Sequence, residues 1–327
     1  MNILISLLIG FVGLLLIGFT YESIMRFRDR QRFGKPPYKT LAVDGHAMHV
    51  EQLGDGLPAP TVVFLSTIGG SLLDWQLVIP ELEGVAPLLA YDRAGYGWSA
   101  RLRGERVPQV VVDEMHALLE KVDSPQPVVL VGHGFGGLYA RLYQAEHPEN
   151  VAGIVLVDSS HPDLVIQNDH QKEIRRQRNI LRFRRLGILR LMLPRVLTWL
   201  DDLPLLERQR YRVVRNWDIP MTLPEAVPVF RDGIDLPDTL GDLPLAVVSR
   251  SVAEELEFSQ EWAEHQADLA QISSQSRHIT LEKGSHYVQF ASPETVANAI
   301  RDMVNQIREP FQEPVQEQFR EQDQSEG

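Results

Sequence analysis

This sequence predicts an α/β fold with a mostly parallel sheet, helices on both faces, and one transmembrane helix in front of it. Three observations predict that class. From residue 38 to about 307, short apolar runs alternate with helical patterns of apolar residues. A glycine-dense turn, Val128-Val-Leu-Val-Gly-His-Gly-Phe-Gly-Gly-Leu-Tyr-Ala-Arg141, joins one such run directly to a helical pattern and leaves free backbone N–H groups at the junction. Residues Ile3 to Thr20 carry no charged side chain, so ~27 Å of helix there spans most of a bilayer core.

Composition narrows the classes. A chain of 327 residues with 44% hydrophobic and 23% charged residues has room for one large domain or two small ones. A formal net charge of -12 excludes general nucleic-acid binding, which needs a basic surface to neutralise phosphates. With no cysteine in the sequence, disulfides, thiol catalysis and thiolate metal sites are excluded as well.

The elements follow in order. Residues 1–22 are expected to be the membrane anchor, since the apolar run has neither a basic residue before it nor a small-residue cleavage site after it. Residues 23–37 read as a basic juxtamembrane linker: Arg26, Arg28, Arg30, Arg32 and Lys35 face only Asp29 as a countercharge within the run, which favours a cytoplasmic body. Lys39 to Val43 and His46 to Gln52 flank Asp44-Gly45 as a hairpin, and Thr61 to Leu65 reads as a buried strand. His46 and His49 are three apart, on opposite strand faces, which disfavours a metal pair. A short helix is expected from Trp75 to Glu83, a strand at Pro87 to Tyr91, a helix at Gln109 to Val122, and strands at Pro127 to Val131 and Ala152 to Val157. From about 162 to 237 the alternation stops. This insertion carries eight arginines between 175 and 195, interleaved with apolar residues, and suits either an anionic membrane surface or a cover over a cleft. Strands resume at Leu243 to Ser249 and Arg277 to Glu282, with a last helix from Pro293 to about Ile307. The acidic Gln- and Glu-rich tail, 308–327, has too little apolar material to pack.

Two chemistries use a turn like that at Gly132. In one, Gly132-His133-Gly134-Phe135-Gly136 is a nucleophile elbow whose central serine is Gly134. In the other, Gly132, Gly134 and Gly137 are the glycines of a dinucleotide fingerprint, with Asp158 about where a ribose-binding acid would lie. The fingerprint usually follows the first strand of its domain, whereas here at least four strands precede it, which weakens the second reading.

Several stretches resemble the α/β-hydrolase family over about residues 38–307: Gly69-Gly70-Ser71-Leu72-Leu73-Asp74-Trp75, Tyr91-Asp-Arg-Ala-Gly-Tyr-Gly-Trp-Ser99, the elbow region through Gly137, Leu156-Val-Asp-Ser-Ser-His-Pro162, and Gly284-Ser-His-Tyr287. The resemblance implies an eight-stranded sheet with a helical cap at the insertion. It also implies that His286 is the catalytic histidine, that Ile68 and Phe135 supply the oxyanion N–H donors, and that the acid is Glu254 (or its neighbour Glu255) or Asp158. Gly134 stands at the nucleophile position with no side chain, and Thr67 stands where the family more often has glycine.

Losing the nucleophile of such a triad removes on the order of a million-fold in rate. The expectation is therefore a membrane-anchored protein with a degenerate acyl-transfer site and a binding or accessory role, with a membrane-protein partner or a small hydrophobic ligand under the cap and no cofactor. The alternatives are an active ester hydrolase, a His286-dependent enzyme without a serine, and a dinucleotide-binding protein. Ser66, Ser159 and Ser160 lie near the site on turns that would not activate them. Asp92 and Arg93 are expected as an ion pair and turn framework, Trp75 and Trp98 as packing residues, and His133 and His161 at the mouth of the cleft.

Overall fold

Strands that are apolar on both faces must be covered on both sides, and this requirement decides the architecture. Residues 2–101, 104–167, 170–201, 203–251, 257–282 and 284–309 are described by the structure, a computed structural model. Its sheet has eight strands: β1 (Lys39–Val43), β2 (His46–Leu53), β3 (Thr61–Leu65), β4 (Leu88–Tyr91), β5 (Val128–His133), β6 (Val151–Val157), β7 (Leu245–Arg250) and β8 (Ser276–Leu281). They run in the order β1-β2-β4-β3-β5-β6-β7-β8. The β1–β2 and β2–β4 pairs are antiparallel, and from β4 to β8 all pairs are parallel. Every residue of β3, β4 and β5 is buried.

One face of the sheet is covered by α2 (Pro108–Val122) and α3 (Phe135–Glu146), the other by α10 (Pro293–Arg308), with α8 (Glu257–Leu269) following β7 and α9 (Val288–Ala291) following β8. Where a helix from Trp75 to Glu83 was expected, two 3₁₀ turns stand instead, Leu72–Trp75 and Ile79–Leu82. Pro80 has no N–H with which to continue an α-helical ladder, and the glycines at 69, 70 and 84 leave only a short span between them.

The insertion between β6 and β7 is a helical cap: α4 (Pro162–Gln167), α5 (His170–Arg185), α6 (Ile188–Val196) and α7 (Leu205–Asp232). Ahead of the sheet stands α1 (Asn2–Phe33), 32 residues long and apolar enough to cross a membrane. The basic segment 23–37, read as a linker, is helical through Phe33. Its far side explains the difference, because Glu22, Asp29 and Phe33 are buried against the body. Arg190 of α6 donates to Glu22 at 3.0 Å and pairs with Asp29 at 2.7 Å. Asn216 donates to Glu22, and the Trp98 indole donates to the Phe33 carbonyl at 2.7 Å. Gly18 and Gly187 let the chains approach: a Cβ at Gly18 would stand 2.6 Å from the Leu186 carbonyl oxygen, and one at Gly187 would stand 2.8 Å from the Tyr21 ring. Residues 310–327, most of the expected tail, lie outside the described residues, while Arg308 closes α10 on the carbonyls of Ala59, Val85 and Pro58.

Candidate active site

At the C-terminal end of β5 the chain turns at Gly134 with φ 53 and ψ -122, a left-handed conformation that glycine adopts without strain. The neighbouring glycines serve close packing. A Cβ at Gly136 would run into the Leu65 carbonyl and one at Gly137 into the Ser159 hydroxyl, while one at Gly132 would lie 2.6 Å from the backbone of Gly136 and Gly137. Close packing at Gly132 and Gly137 and the positive φ at Gly134 therefore account for the glycines of the dinucleotide reading.

Parallel β6 and β7 end beside this turn and bring the other groups to it. Asp158, the residue after β6, has φ 41 and is completely buried. Such a backbone conformation costs a side-chain-bearing residue about 1–3 kcal/mol and persists where surroundings enforce it. Here the surroundings are directional: Oδ1 of Asp158 accepts from the Trp262 indole at 3.0 Å and the Arg250 backbone N–H at 3.2 Å, and Oδ2 accepts from Nδ1 of His286 at 2.7 Å. Among the described residues, Asp158 is paired with His286. Glu254 and Glu255 lie outside the described residues. With Nδ1 protonated toward the acid, Nε2 of His286 is the basic nitrogen, and it lies 3.5 Å from where a Cβ on residue 134 would be.

His133 sits behind this pair and not at the mouth of the cleft. It is fully buried, its Nε2 donates to the His286 carbonyl at 2.9 Å, and its Nδ1 accepts from Gln289 at 3.2 Å. Burial, and then the nearby His286, hold its pKa well below the ordinary value, so it is a neutral support for the loop that carries His286. His161 is also drawn away, donating to Asp268 at 2.9 Å and stacking on His265.

The loop after β3 brings Thr67 against the turn at Gly134. A Cβ on residue 134 would overlap Oγ1 of Thr67 and lie 2.8 Å from Cβ of Thr67. The Phe135 N–H, expected as an oxyanion donor, donates to Oγ1 of Thr67 at 3.3 Å. Thr67 is held there by Arg93, which donates to the carbonyls of Ser66 and Thr67 and pairs with buried Glu225 of α7 at 3.0 Å. Asp92 is not the partner of Arg93. It accepts from His49 at 2.7 Å and from the backbone N–H groups of Leu72 and Trp98, and so ties the strand ends together. Ser66 donates to the Ser71 carbonyl and Ser159 to the Gly134 carbonyl, which leaves neither aimed at His286.

Above these groups the cap encloses a cavity of about 740 Å³, bordered by Thr67, Ile68, Phe135, Ser160 and His286. Apolar residues from α5, α6 and α7 form its roof, and Arg176, Arg215 and Arg250 contribute cationic groups. Arg215 donates to the Gly69 carbonyl and, at 2.6 Å, to the Tyr287 hydroxyl. The arginine-rich insertion thus covers the cleft, with Arg176, Gln177 and Ile180 of α5 facing it. Sequence reasoning missed Thr67 as the occupant of the serine's space. The available signal was its departure from glycine in the same chain that departs from serine at 134.

Residues 60–220 match the family model for the alpha/beta hydrolase fold. The chain has the α/β-hydrolase fold. An esterase from Thermogutta terrifontis is superposable with a TM-score of 0.65 at 19% identity, covering 82% of this chain and 98% of the esterase. An epoxide hydrolase from Bacillus megaterium gives 0.66 at 17% identity, covering 82% and 100%. Among curated proteins, the uncharacterized protein YqjL of Bacillus subtilis is 24% identical over 271 residues, 81% of this chain and 91% of that protein. The rat 1-acylglycerol-3-phosphate O-acyltransferase ABHD5 is 29% identical over 113 residues, only 32% of either chain.

Proposed function

We propose that this is a membrane-anchored α/β-hydrolase-fold protein that binds an apolar, anion-bearing ligand beneath its cap and does not perform serine-type acyl transfer. The observation that carries the reading is Thr67: its side chain fills the room a serine at 134 would need, and its hydroxyl occupies the Phe135 N–H. An oxyanion donor already engaged in the resting protein is not preorganised for a developing charge. The cavity's apolar roof and its arginines suit an acyl chain with an anionic head. One partial relative is named for acyl transfer to 1-acylglycerol 3-phosphate, which supports the same ligand class. The charge bias of residues 26–35 supports a cytoplasmic body and a binding or accessory role at that membrane face.

The direct test is incubation of the purified chain with a fluorophosphonate probe and with short-chain aryl esters. Neither labelling nor turnover is expected. Stoichiometric labelling that disappears in His286→Ala would overturn the reading.

The intact pair of His286 and Asp158 favours a second reading, in which Nε2 deprotonates a water or a substrate directly. That enzyme would show a pH-dependent rate that survives Thr67→Ala and is lost in His286→Ala and Asp158→Asn.

A further inference from the structure

The lower part of α1 forms one wall of a second cavity. The apolar run ends at Thr20, and from Tyr21 to Phe33 the helix encloses about 680 Å³ together with α6 and α7 of the cap. This space is separate from the one over His286, with Leu193 of α6 facing both. Four arginines border it, Arg28, Arg32, Arg190 and Arg212, against the single carboxylate of Asp29. Arg190 is committed to Glu22 and Asp29. The others are weakly engaged: Arg28 has no ion-pair partner among the described residues, Arg32 lies over the Phe33 ring, and Arg212 comes no nearer than 3.8 Å to Asp201. Surplus positive charge therefore collects just past the end of the apolar run.

The cap adds an independent observation. Past Tyr38, the large apolar side chains left exposed among the described residues are Phe183, Ile188, Leu191, Met192, Leu205 and Leu206, all of them in the cap. Leu191 and Met192 directly follow Arg190, which is bonded to α1 just below the apolar run. Exposed apolar side chains confined to one part of an otherwise polar body mark a contact surface, and here that part packs on a helix apolar enough to span a membrane.

We propose that the α1–cap cavity is a binding site for an anionic phospholipid of the bilayer that α1 crosses. Its phosphate sits among Arg28, Arg32 and Arg212, its acyl chains run back along α1, and the cap rests its exposed apolar residues on the same leaflet. Apart from Leu193 the site shares no lining residue with the His286 cavity, so it stands or falls independently of the function proposed above.

The test uses the full chain, purified in an uncharged detergent, with its melting temperature followed during titration with phosphatidylglycerol, phosphatidylcholine or inorganic phosphate. Phosphatidylglycerol is expected to raise the melting temperature saturably, and the other two are not. Arg28→Gln combined with Arg212→Gln should shift the phosphatidylglycerol midpoint by roughly an order of magnitude, and the corresponding lysine pair should restore it. Gln31→Glu, an exposed change on the cavity border that leaves packing untouched, should weaken the midpoint about fivefold. Equal responses to phosphatidylglycerol and phosphatidylcholine would refute the proposal. So would a shift reproduced by inorganic phosphate, or a phosphatidylglycerol midpoint unmoved by both Gln31→Glu and the glutamine pair.

Discussion

Gly134 and Thr67 act as a matched pair, so each residue constrains what can be done to the other. Serine at 134 alone would bring two penalties: about 1–3 kcal/mol for a side chain at φ 53, and about 1–3 kcal/mol for overpacking against Thr67. Combining Gly134→Ser with Thr67→Gly removes the second penalty and frees the Phe135 N–H. The expected outcome in denaturant melts is a double variant more stable than Gly134→Ser alone. The same double variant should react with fluorophosphonate while the single one does not, because the His286–Asp158 pair is already formed. A separate prediction concerns Asp74, whose carboxyl is buried and pushed up to about 6, chiefly by desolvation. One of its oxygens accepts from the Tyr211 hydroxyl and the other has no hydrogen-bond partner. Its folded pKa lies above the unfolded value, so the folded state holds the proton more tightly and stability falls as pH rises from about 4 to about 6. Asp74→Asn should therefore stabilise the protein at pH 7 by up to ~3 kcal/mol and change little at pH 4, as read from urea midpoints at both values.

Between elements, α1 and the cap are coupled by the largely buried set of Arg190 with Glu22 and Asp29. Removing one partner of a buried pair costs about 3–5 kcal/mol, because the remaining charge is left without compensation. Arg190→Ala should accelerate amide hydrogen exchange in α6 and the lower half of α1 while β5, whose residues are all buried, stays protected. This contact also shows where sequence reading stops. The strands were legible because their apolar runs have to be covered whatever the distant chain does, and Val128 to Val131 could hardly be anything else. The end of the apolar helix was not legible. The change from Leu and Ile to Arg after Thr20 looks like a linker locally, and Glu22 is buried by an arginine 168 positions away and by Asn216, neither visible from the local sequence. The acid was half legible: the chain after β6 showed Asp158, but its bond to His286 depends on β6 and β7 being parallel neighbours ending at the same edge. Thr67 was visible as a departure from pattern, yet its contact with residue 134 depends on β3 and β5 lying side by side.

For the molecule as a whole, α1 belongs to two environments, with residues 3–20 exposed along the apolar run and residues 22–33 contributing to the body's core. Truncation should separate the two. A chain starting at residue 21 keeps Glu22, Asp29 and Phe33, and its sheet and cap should melt as in the full chain. A chain starting at residue 36 loses the burial of Phe33, worth about 1.5–3 kcal/mol, and the bond from the Trp98 indole, worth about 1 kcal/mol. It also leaves Arg190 facing solvent in place of its two carboxylates. Those losses fall on the junction with the cap and spare the sheet, whose strands pair without any contribution from α1. The shorter chain should therefore show a lower melting temperature, faster exchange in α6, and binding of a hydrophobic dye at the loosened cap, all absent from the chain that begins at 21. Identical behaviour of the two truncations would mean that the lower half of α1 is a tether only, and that the cap takes its position from α7 alone.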